Sequence, residues 1–192
     1  MVDPRDCRAY RVVTIGEQTW LAENLAFETE GGSACYDDER THCATYGRLY
    51  DWAATMGLAS SANHERVRPT GPARGICPPG WHVPSGGEWE RLFEAAGGRA
   101  MAAPRLRADS DLWQQGSSND ATGFGALPGG YRGHRFSLEG FQAHFQASDE
   151  TSDDTAAFAF LSGISDRARL DDDSSGSDND KTRLRSVRCL RD

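Results

Sequence analysis

Short apolar and β-branched stretches predict strands at both ends of the chain. Residues 10–15 (YRVVTI) are followed by Gly16, and residues 19–25 continue the pattern, so we predict two consecutive strands there. Residues 156–161 and 184–190 are also predicted to be strands, although the second segment includes Arg185, Ser186 and Arg188. Strands are therefore predicted near both ends of the chain.

Two segments have apolar residues three or four positions apart, which predicts helices at about 47–56 and 86–96. The second segment begins with Ser85 and Glu88 at the spacing of a capping box, in which each residue bonds an unpaired amide of the other. Gly57 and the pair Gly97–Gly98 are suitable helix ends. The apolar face of the second helix consists of Trp89, Leu92, Phe93 and Ala96.

Residues 132–185 show little periodicity apart from the strand at 156–161. Nine of the eighteen Asp residues fall between Asp149 and Asp180, and residues 171–180 are almost entirely Asp, Ser, Gly and Asn. Such a composition buries little apolar area. We therefore expect residues 132–185 to be mostly irregular, exposed and gathered on one face.

Charge and hydropathy exclude two functional classes. Lys and Arg total 21 against 29 Asp and Glu, which gives a net charge of −8 and argues against a nucleic-acid binder with a basic face. No apolar run is long enough to span a membrane. The length of 192 residues suits a single domain.

The five cysteines have no metal-site spacing, so we expect no structural zinc. Cys35 and Cys43 are placed to close a short loop and Cys77 and Cys189 a long one, which leaves Cys7 alone. Disulfides place a protein outside the cytosol. The first residues, MVDPRD, lack the basic and apolar parts of a signal peptide, so we expect either that a leader has been removed or that the protein is cytosolic with free thiols.

Six motifs in order along the chain resemble the Fibrobacter succinogenes major paralogous domain family. The motifs span residues 3 to 192 and are DPRD, QTWLAENL, YGRLYDW, CPPGWHVP, GFGALPGGYR and SVRCLRD. The resemblance implies an α+β, C-type-lectin-like fold with two helices, a twisted antiparallel sheet and long irregular loops. In that fold the two ends of the chain meet in the sheet, so we expect the first and last strands to lie side by side. It also implies a secreted or cell-surface bacterial protein that has no established enzymatic activity.

In the fold implied by this resemblance, the irregular region before the last strands forms the ligand face, here residues 132–185. A rigid core that displays such a region favours a non-catalytic module that binds a protein or carbohydrate. Aromatic and Arg side chains carry most interface energy. The candidate ligand-binding residues are His134, Arg135, Phe141, His144, Phe145, Phe158, Phe160, Asp166, Arg167, Arg169 and Arg183.

Several alternatives accompany this interpretation. Formylglycine-generating enzymes share the broad fold, so an oxidoreductase using Cys189 is the catalytic alternative, and a structural cell-surface module is the third. Asp171, Asp173, Ser175 and Gly176 match early EF-hand positions, but Thr182 stands where a Glu is needed, so we expect a solvated loop and no cofactor, with loose calcium binding as the alternative. His82 is predicted to be a structural hydrogen-bonding residue.

The composition changes sharply after residue 150. Residues 1–150 contain eleven Glu, five Gln, five Trp and three Met, whereas residues 151–188 contain none of these, although about six would be expected at the same rate. These four residue types have codons ending in a purine. Every type in the segment except Lys can be written with a codon ending in a pyrimidine, as adenine-directed mutagenesis of Asn codons would produce. This pattern indicates the variable protein of a diversity-generating retroelement.

Overall fold

The computed structural model of the chain describes residues 1–68, 73–174 and 177–192. It contains four helices, twelve strands and three 3-10 turns within that part. The helices are α1 (Arg40–Tyr46), α2 (Trp52–Met56), α3 (Gly86–Ala95) and α4 (Ala102–Leu106). The strands are β1 (Val12–Ile15), β2 (Gln18–Leu21), β3 (Ser33–Ala34), β4 (Leu49–Tyr50), β5 (Trp81–His82), β6 (Gly129–Arg132), β7 (Phe136–Glu139), β8 (Gln142–Glu150), β9 (Ala156–Ser162), β10 (Arg169–Asp171), β11 (Arg185–Ser186) and β12 (Leu190–Arg191).

The strands form two sheets, and the architecture is α+β. A four-stranded sheet has the order β1-β2-β12-β5, and a larger one has the order β10-β9-β8-β11-β4-β3, with the β6–β7 hairpin attached to β8. The larger sheet is mixed, because β11 and β6 both run parallel to β8. The resemblance implied two helices and an antiparallel sheet. The structure has four helices within the described residues, and its larger sheet is mixed.

The hydrophobic spacing identified one predicted helix correctly and misplaced the other. Helix α3 starts at the predicted Ser85–Glu88 capping box, where the Ser85 amide donates to the Glu88 carboxylate at 2.8 Å. Of the helix predicted at 47–56, only the second half is helical, as α2 (Trp52–Met56). Leu49 and Tyr50 instead pair with β3 and β11, and the Asp51 carboxylate caps the Ala54 amide at 2.8 Å, so the helix starts only after it.

Both predicted cysteine pairs are bonded. Cys35 is joined to Cys43 and Cys77 to Cys189, and Cys7 is free and exposed. The second bond links positions 112 residues apart and holds the segment before β5 against the C-terminal segment. Strand β12 pairs with both β2 and β5, so the end of the chain lies beside the N-terminal hairpin as expected.

The expectation that residues 132–185 are irregular is wrong. Strands β7 to β10 lie entirely within this region, and β8 and β9 pair antiparallel as the longest strands of the larger sheet. The alternation of polar and apolar residues from Gln142 to Ser148 (QAHFQAS) is the strand signal that the sequence analysis missed. The predicted strand at 184–190 is two short strands, β11 and β12, which belong to different sheets.

Arg188 is one of the fully buried cations of the described residues. Arg188 is 1% exposed, and its guanidinium donates to Asn24 Oδ1 at 2.6 Å and to the carbonyls of Leu21 (3.2 Å), Phe124 (2.5 Å) and Gly125 (3.0 Å). Burial, and then Arg11, lowers the pKa of Arg188 to about 9. The guanidinium thus joins the segment after β2 to the loop before β6.

The described part of the chain has no helix that is both long and apolar enough to cross a bilayer.

Replacing the buried Arg188 should lower the free energy of unfolding more than replacing the exposed Arg191. We expect Arg188→Met to lower the free energy of unfolding by about 3 kcal/mol or more, because it leaves several buried oxygens without donors. Arg191→Met, on exposed β12, should change it by about 0.5 kcal/mol or less. Urea unfolding of both variants checks this, and equal losses would contradict the role given to Arg188.

His82 predicts a pH dependence of stability. Its Nε2 lies 3.2 Å from Glu88 Oε1 and its Nδ1 lies 2.8 Å from Asp192 Oδ1. The hydrogen bond with Glu88 raises the pKa of His82 above 6.5, against burial and with help from Asp192. Burial alone would raise the pKa of Glu88, but bonds from His82 and Ser85 lower it to about 2, so Glu88 stays ionised near neutral pH.

The pKa of His82 is higher in the folded protein than in the unfolded chain, so the protonated ring stabilises the fold. This stabilisation is fully present below about pH 6.5, the unfolded value, and is lost as the pH rises through the folded pKa. The difference in melting temperature between the wild type and His82→Gln should therefore shrink between pH 5.5 and pH 8.5. Thermal unfolding across that range tests it. A difference that stays constant or grows would show that protonation of His82 does not stabilise the fold.

Candidate functional site

Strands β8 and β9 have two chemically distinct faces because successive side chains of a strand point to opposite sides. One face carries small and apolar residues into the main core. These are Ala143, Phe145, Ala147, Ala157, Ala159 and Leu161. The other face carries His144, which pairs in register with Phe160, and Phe158, which stands opposite Gln146.

The second face forms the floor of a cavity of about 390 Å³. Its remaining walls come from the β6–β7 hairpin, the segment between β9 and β10, and the residues before and within β11. Fifteen described residues line it, and eleven of them lie between Phe158 and Arg185. Its volume is in the range typical of small-molecule sites.

The floor of the cavity is aromatic. The His144 ring stacks near Phe158 and Phe160, with ring centroids 5.5 and 5.4 Å away and interplanar angles of 12° and 15°. Tyr131 completes the group, with its ring centroid 4.8 Å from that of His144. The floor of the cavity is therefore largely apolar, although one of its four rings is the imidazole of His144.

His144 is neutral in this setting. Burial, followed by the charges of Arg185 and Arg183, lowers the pKa of His144 well below 6.5. The Nε2 atom lies 2.7 Å from Gln142 Oε1, whereas Nδ1 is buried and has no hydrogen-bond partner in the described part of the chain.

Four arginines and two aspartates line the cavity. The arginines are Arg167, Arg169, Arg183 and Arg185, and the aspartates are Asp171 and Asp178. Three guanidinium groups stack over rings, with Arg185 Cζ 4.2 Å from the Phe158 centroid, Arg183 5.3 Å from Tyr131 and Arg169 5.7 Å from Phe160. Of these four arginines, only Arg183 forms an ion pair with another described residue, and its Nη2 atom lies 3.1 Å from Asp178 Oδ1. The cavity therefore has excess positive charge.

Among these four arginines, Arg185 is the one whose charged form is disfavoured by burial. It is 1% exposed, and burial, followed by Arg183, lowers its pKa to about 9. Its guanidinium donates to the carbonyls of Asp178 and Asp180, but its Nε has no partner among the described residues. It thus lacks the full set of acceptors that Arg188 has.

The cavity brings together six of the eleven candidate ligand-binding residues, namely His144, Phe158, Phe160, Arg167, Arg169 and Arg183. The other five do not line it. His134 and Arg135 are exposed on the turn between β6 and β7, Phe141 is half-buried before β8, and Asp166 is exposed. Phe145 faces the core, 1% exposed, and stacks on Trp89 at 5.2 Å.

Sequence reasoning missed Tyr131, Gln142 and Arg185 as cavity residues. The alternation from Gln142 to Ser148 would have placed Gln142 and His144 on one face and Phe145 on the other. Nothing in the sequence distinguishes Arg185 from Arg183 or Arg188, because its burial depends on the pairing of β11 with β8 and β4.

Of the residues behind the two chemical alternatives, Asp171 lines the cavity and Cys189 is disulfide-bonded. Cys189 is fully buried and joined to Cys77, so it offers no thiol. Ser175 and Gly176 of the EF-hand comparison lie outside the described residues. Within the described ranges, no three His, Cys, Asp or Glu side chains are grouped as metal ligands.

Comparison with known proteins identifies a family. The family model described as the Fibrobacter succinogenes major domain matches residues 13–191. No curated protein and no solved structure matches the chain.

The incomplete bonding of Arg185 predicts that it contributes little to stability. We expect Arg185→Met, which keeps the length and apolar stem of the side chain, to leave the free energy of unfolding within about 1 kcal/mol of the wild type or to raise it. Urea unfolding beside Arg188→Met is the measurement. A loss for Arg185→Met as large as that for Arg188→Met would mean that Arg185 is a structural residue.

Proposed function

The chain belongs to the Fibrobacter succinogenes major domain family, and from this premise we propose that it is a non-catalytic binding module whose ligand enters the arginine-lined cavity. The observation that carries the proposal is the contrast between the two faces of β8 and β9. One face is closed by alanines and packs in the core, whereas the other keeps large aromatic and cationic side chains around an open volume. Such side chains are the ones that dominate binding energy at interfaces.

The composition of the cavity supports a second part of this proposal, that the protein is the variable target of a diversity-generating retroelement. Eleven of the fifteen lining residues fall in residues 151–188, the segment without Glu, Gln, Trp or Met. Those eleven are Phe, Ser, Ile, Arg or Asp, all of which have codons ending in a pyrimidine. Core-facing positions of the same segment are mostly small residues such as Ala157 and Ala159.

We also infer a C-type-lectin-like fold and an extracellular or cell-surface location. The α+β architecture and the place of β12 beside the N-terminal hairpin are compatible with that fold. The two disulfides are compatible with a location outside the cytosol. The oxidoreductase alternative has no structural observation in its favour, because it requires a free Cys189 thiol.

Binding through the cavity is tested by separating affinity from stability. We expect Arg167→Ser with Arg169→Ser to abolish binding of ligands found on a printed glycan array or in a displayed peptide library. Both side chains are exposed, so the melting temperature should stay within about 2–4 °C of the wild type. The matched control is Arg40→Ser with Arg135→Ser, which removes two exposed arginines that do not line the cavity.

Loss of binding in the cavity variant but not in the control supports the proposal. Absence of saturable binding by the wild type in both libraries, or equal loss in both variants, would favour a structural cell-surface module. Diversification is tested separately, by sequencing the DNA around the gene. A near-repeat of the codons for residues 151–188 beside a reverse transcriptase gene is expected, and its absence would remove that part of the proposal.

A further inference from the structure

The cavity is positively charged within a negatively charged protein. The chain has a net charge of −8, yet four arginines and two aspartates line this one volume. Asp178 is already paired with Arg183, and no carboxylate of the described residues lies within ion-pair distance of Arg167, Arg169 or Arg185. A ligand anion would therefore meet cations that the protein itself leaves unneutralised.

Two buried polar groups of the cavity wall lack hydrogen-bond partners among the described residues, as do a few buried groups elsewhere, such as Trp20 Nε1 and Arg107 Nε. His144 is 7% exposed with an unpartnered Nδ1, and Arg185 is 1% exposed with an unpartnered Nε. By contrast, Arg188 has acceptors for all three of its guanidinium nitrogens. Unsatisfied buried polar groups cost stability and are expected mainly where function requires them.

The arginines are also arranged to accept a ring. Arg169 and Arg183 each have one face of the guanidinium over an aromatic ring, at 5.7 and 5.3 Å from the centroids of Phe160 and Tyr131. A planar guanidinium stacks on aromatic rings and also binds carboxylates through a fork of donors. Such a group can hold an anion at its edge while a ligand ring extends the stack.

From these observations we propose that the ligand of the cavity is an organic monocarboxylate attached to an aromatic ring, with its carboxylate at the edge of Arg169, which has no ion pair among the described residues, and its ring against the aromatic floor. This inference rests on the proposed function and names its ligand chemistry. Asp171 and Asp178 at the same cavity disfavour a dianion such as phosphate.

The wall favours an aromatic acid over a sugar acid. The floor consists of the rings of Tyr131, His144, Phe158 and Phe160, and Leu138 and Ile164 add apolar surface to the walls. Hydroxyls of a sugar acid that lay against these rings would find few acceptors or donors there, since the Nε2 atom of His144 is already engaged with Gln142.

The test uses isothermal titration of the whole protein with four small probes. Phenylacetate joins a ring to a carboxylate, phenylacetamide is its uncharged isostere, acetate lacks the ring and D-glucuronate is the sugar acid. We expect saturable one-to-one binding of phenylacetate, with affinity at least about tenfold higher than that of each other probe. The affinity should fall as salt is added, since exposed arginines are screened.

Variants assign the contact to the arginines. Arg169→Gln should weaken phenylacetate binding by about tenfold. Arg183→Gln should weaken it as well, because it leaves the Asp178 carboxylate unpaired beside the bound carboxylate. Arg135→Gln, an exposed arginine of the adjacent turn, should leave it unchanged. Loss of the Arg183–Asp178 ion pair could disturb folding of the Arg183→Gln variant. Arg169 is exposed and has no ion pair among the described residues, so Arg169→Gln tests the contact without that complication.

Several results would overturn the inference. They are equal binding of phenylacetate and phenylacetamide, tighter binding of acetate or glucuronate, unchanged affinity in both arginine variants, or no saturation by phenylacetate up to about 10 mM. If the libraries still yield a ligand that depends on Arg167 and Arg169, the binding module stands and only its ligand class is wrong. If they yield none, the proposed function itself fails.

Discussion

The structure depends on a buried arginine whose three side-chain nitrogens must all be hydrogen-bonded. Removing a guanidinium from water is costly, and the cost is offset only when it finds acceptors inside the protein. Arg188 has an acceptor for each nitrogen, from oxygens of Leu21, Asn24, Phe124 and Gly125, which come from two distant parts of the chain. The C-terminal segment can therefore lie between the two sheets, where β11 joins the larger one, β12 the smaller one, and Cys189 is bonded to Cys77.

A second buried cation holds the other end of the same segment. Lys181, the only lysine, is fully buried and donates to the carbonyls of Ala62, Glu65 and Asp153 at 2.8–3.1 Å and to the Glu150 carboxylate at 2.6 Å. Its ammonium also lies 4.4 Å from the Trp52 ring centroid. Burial would raise the pKa of Glu150, but its bonds to Lys181 and to backbone amides lower it, so the pair is ionised. Lys181 and Arg188 thus bracket Arg185, the incompletely bonded cation at the cavity.

This arrangement explains how one segment can serve both stability and binding. Along β9 the residues alternate between the alanine-rich core face and the aromatic cavity face. Substitutions at cavity positions need not alter the core packing, because they act on the opposite side of the strand. The described parts of residues 132–185 are therefore not a loose loop carried by a separate core but a sheet of which only one face is open to change.

The sequence by itself determined the features that depend on neighbouring residues. The capping box at Ser85 placed α3 correctly, and the short spacing of Cys35 and Cys43 suited the disulfide that joins them. The expected Cys77–Cys189 bond is also present, but it joins positions 112 residues apart and depends on the tertiary structure that brings them together. The site was predicted only in part, because aromatic and Arg composition cannot show which face of a strand a residue occupies. Arg185, Arg188 and Arg191 are spaced three residues apart and look alike in the sequence. Tertiary structure alone made the first a cavity residue, the second a core residue and the third a surface residue, because their surroundings come from strands and loops far along the chain.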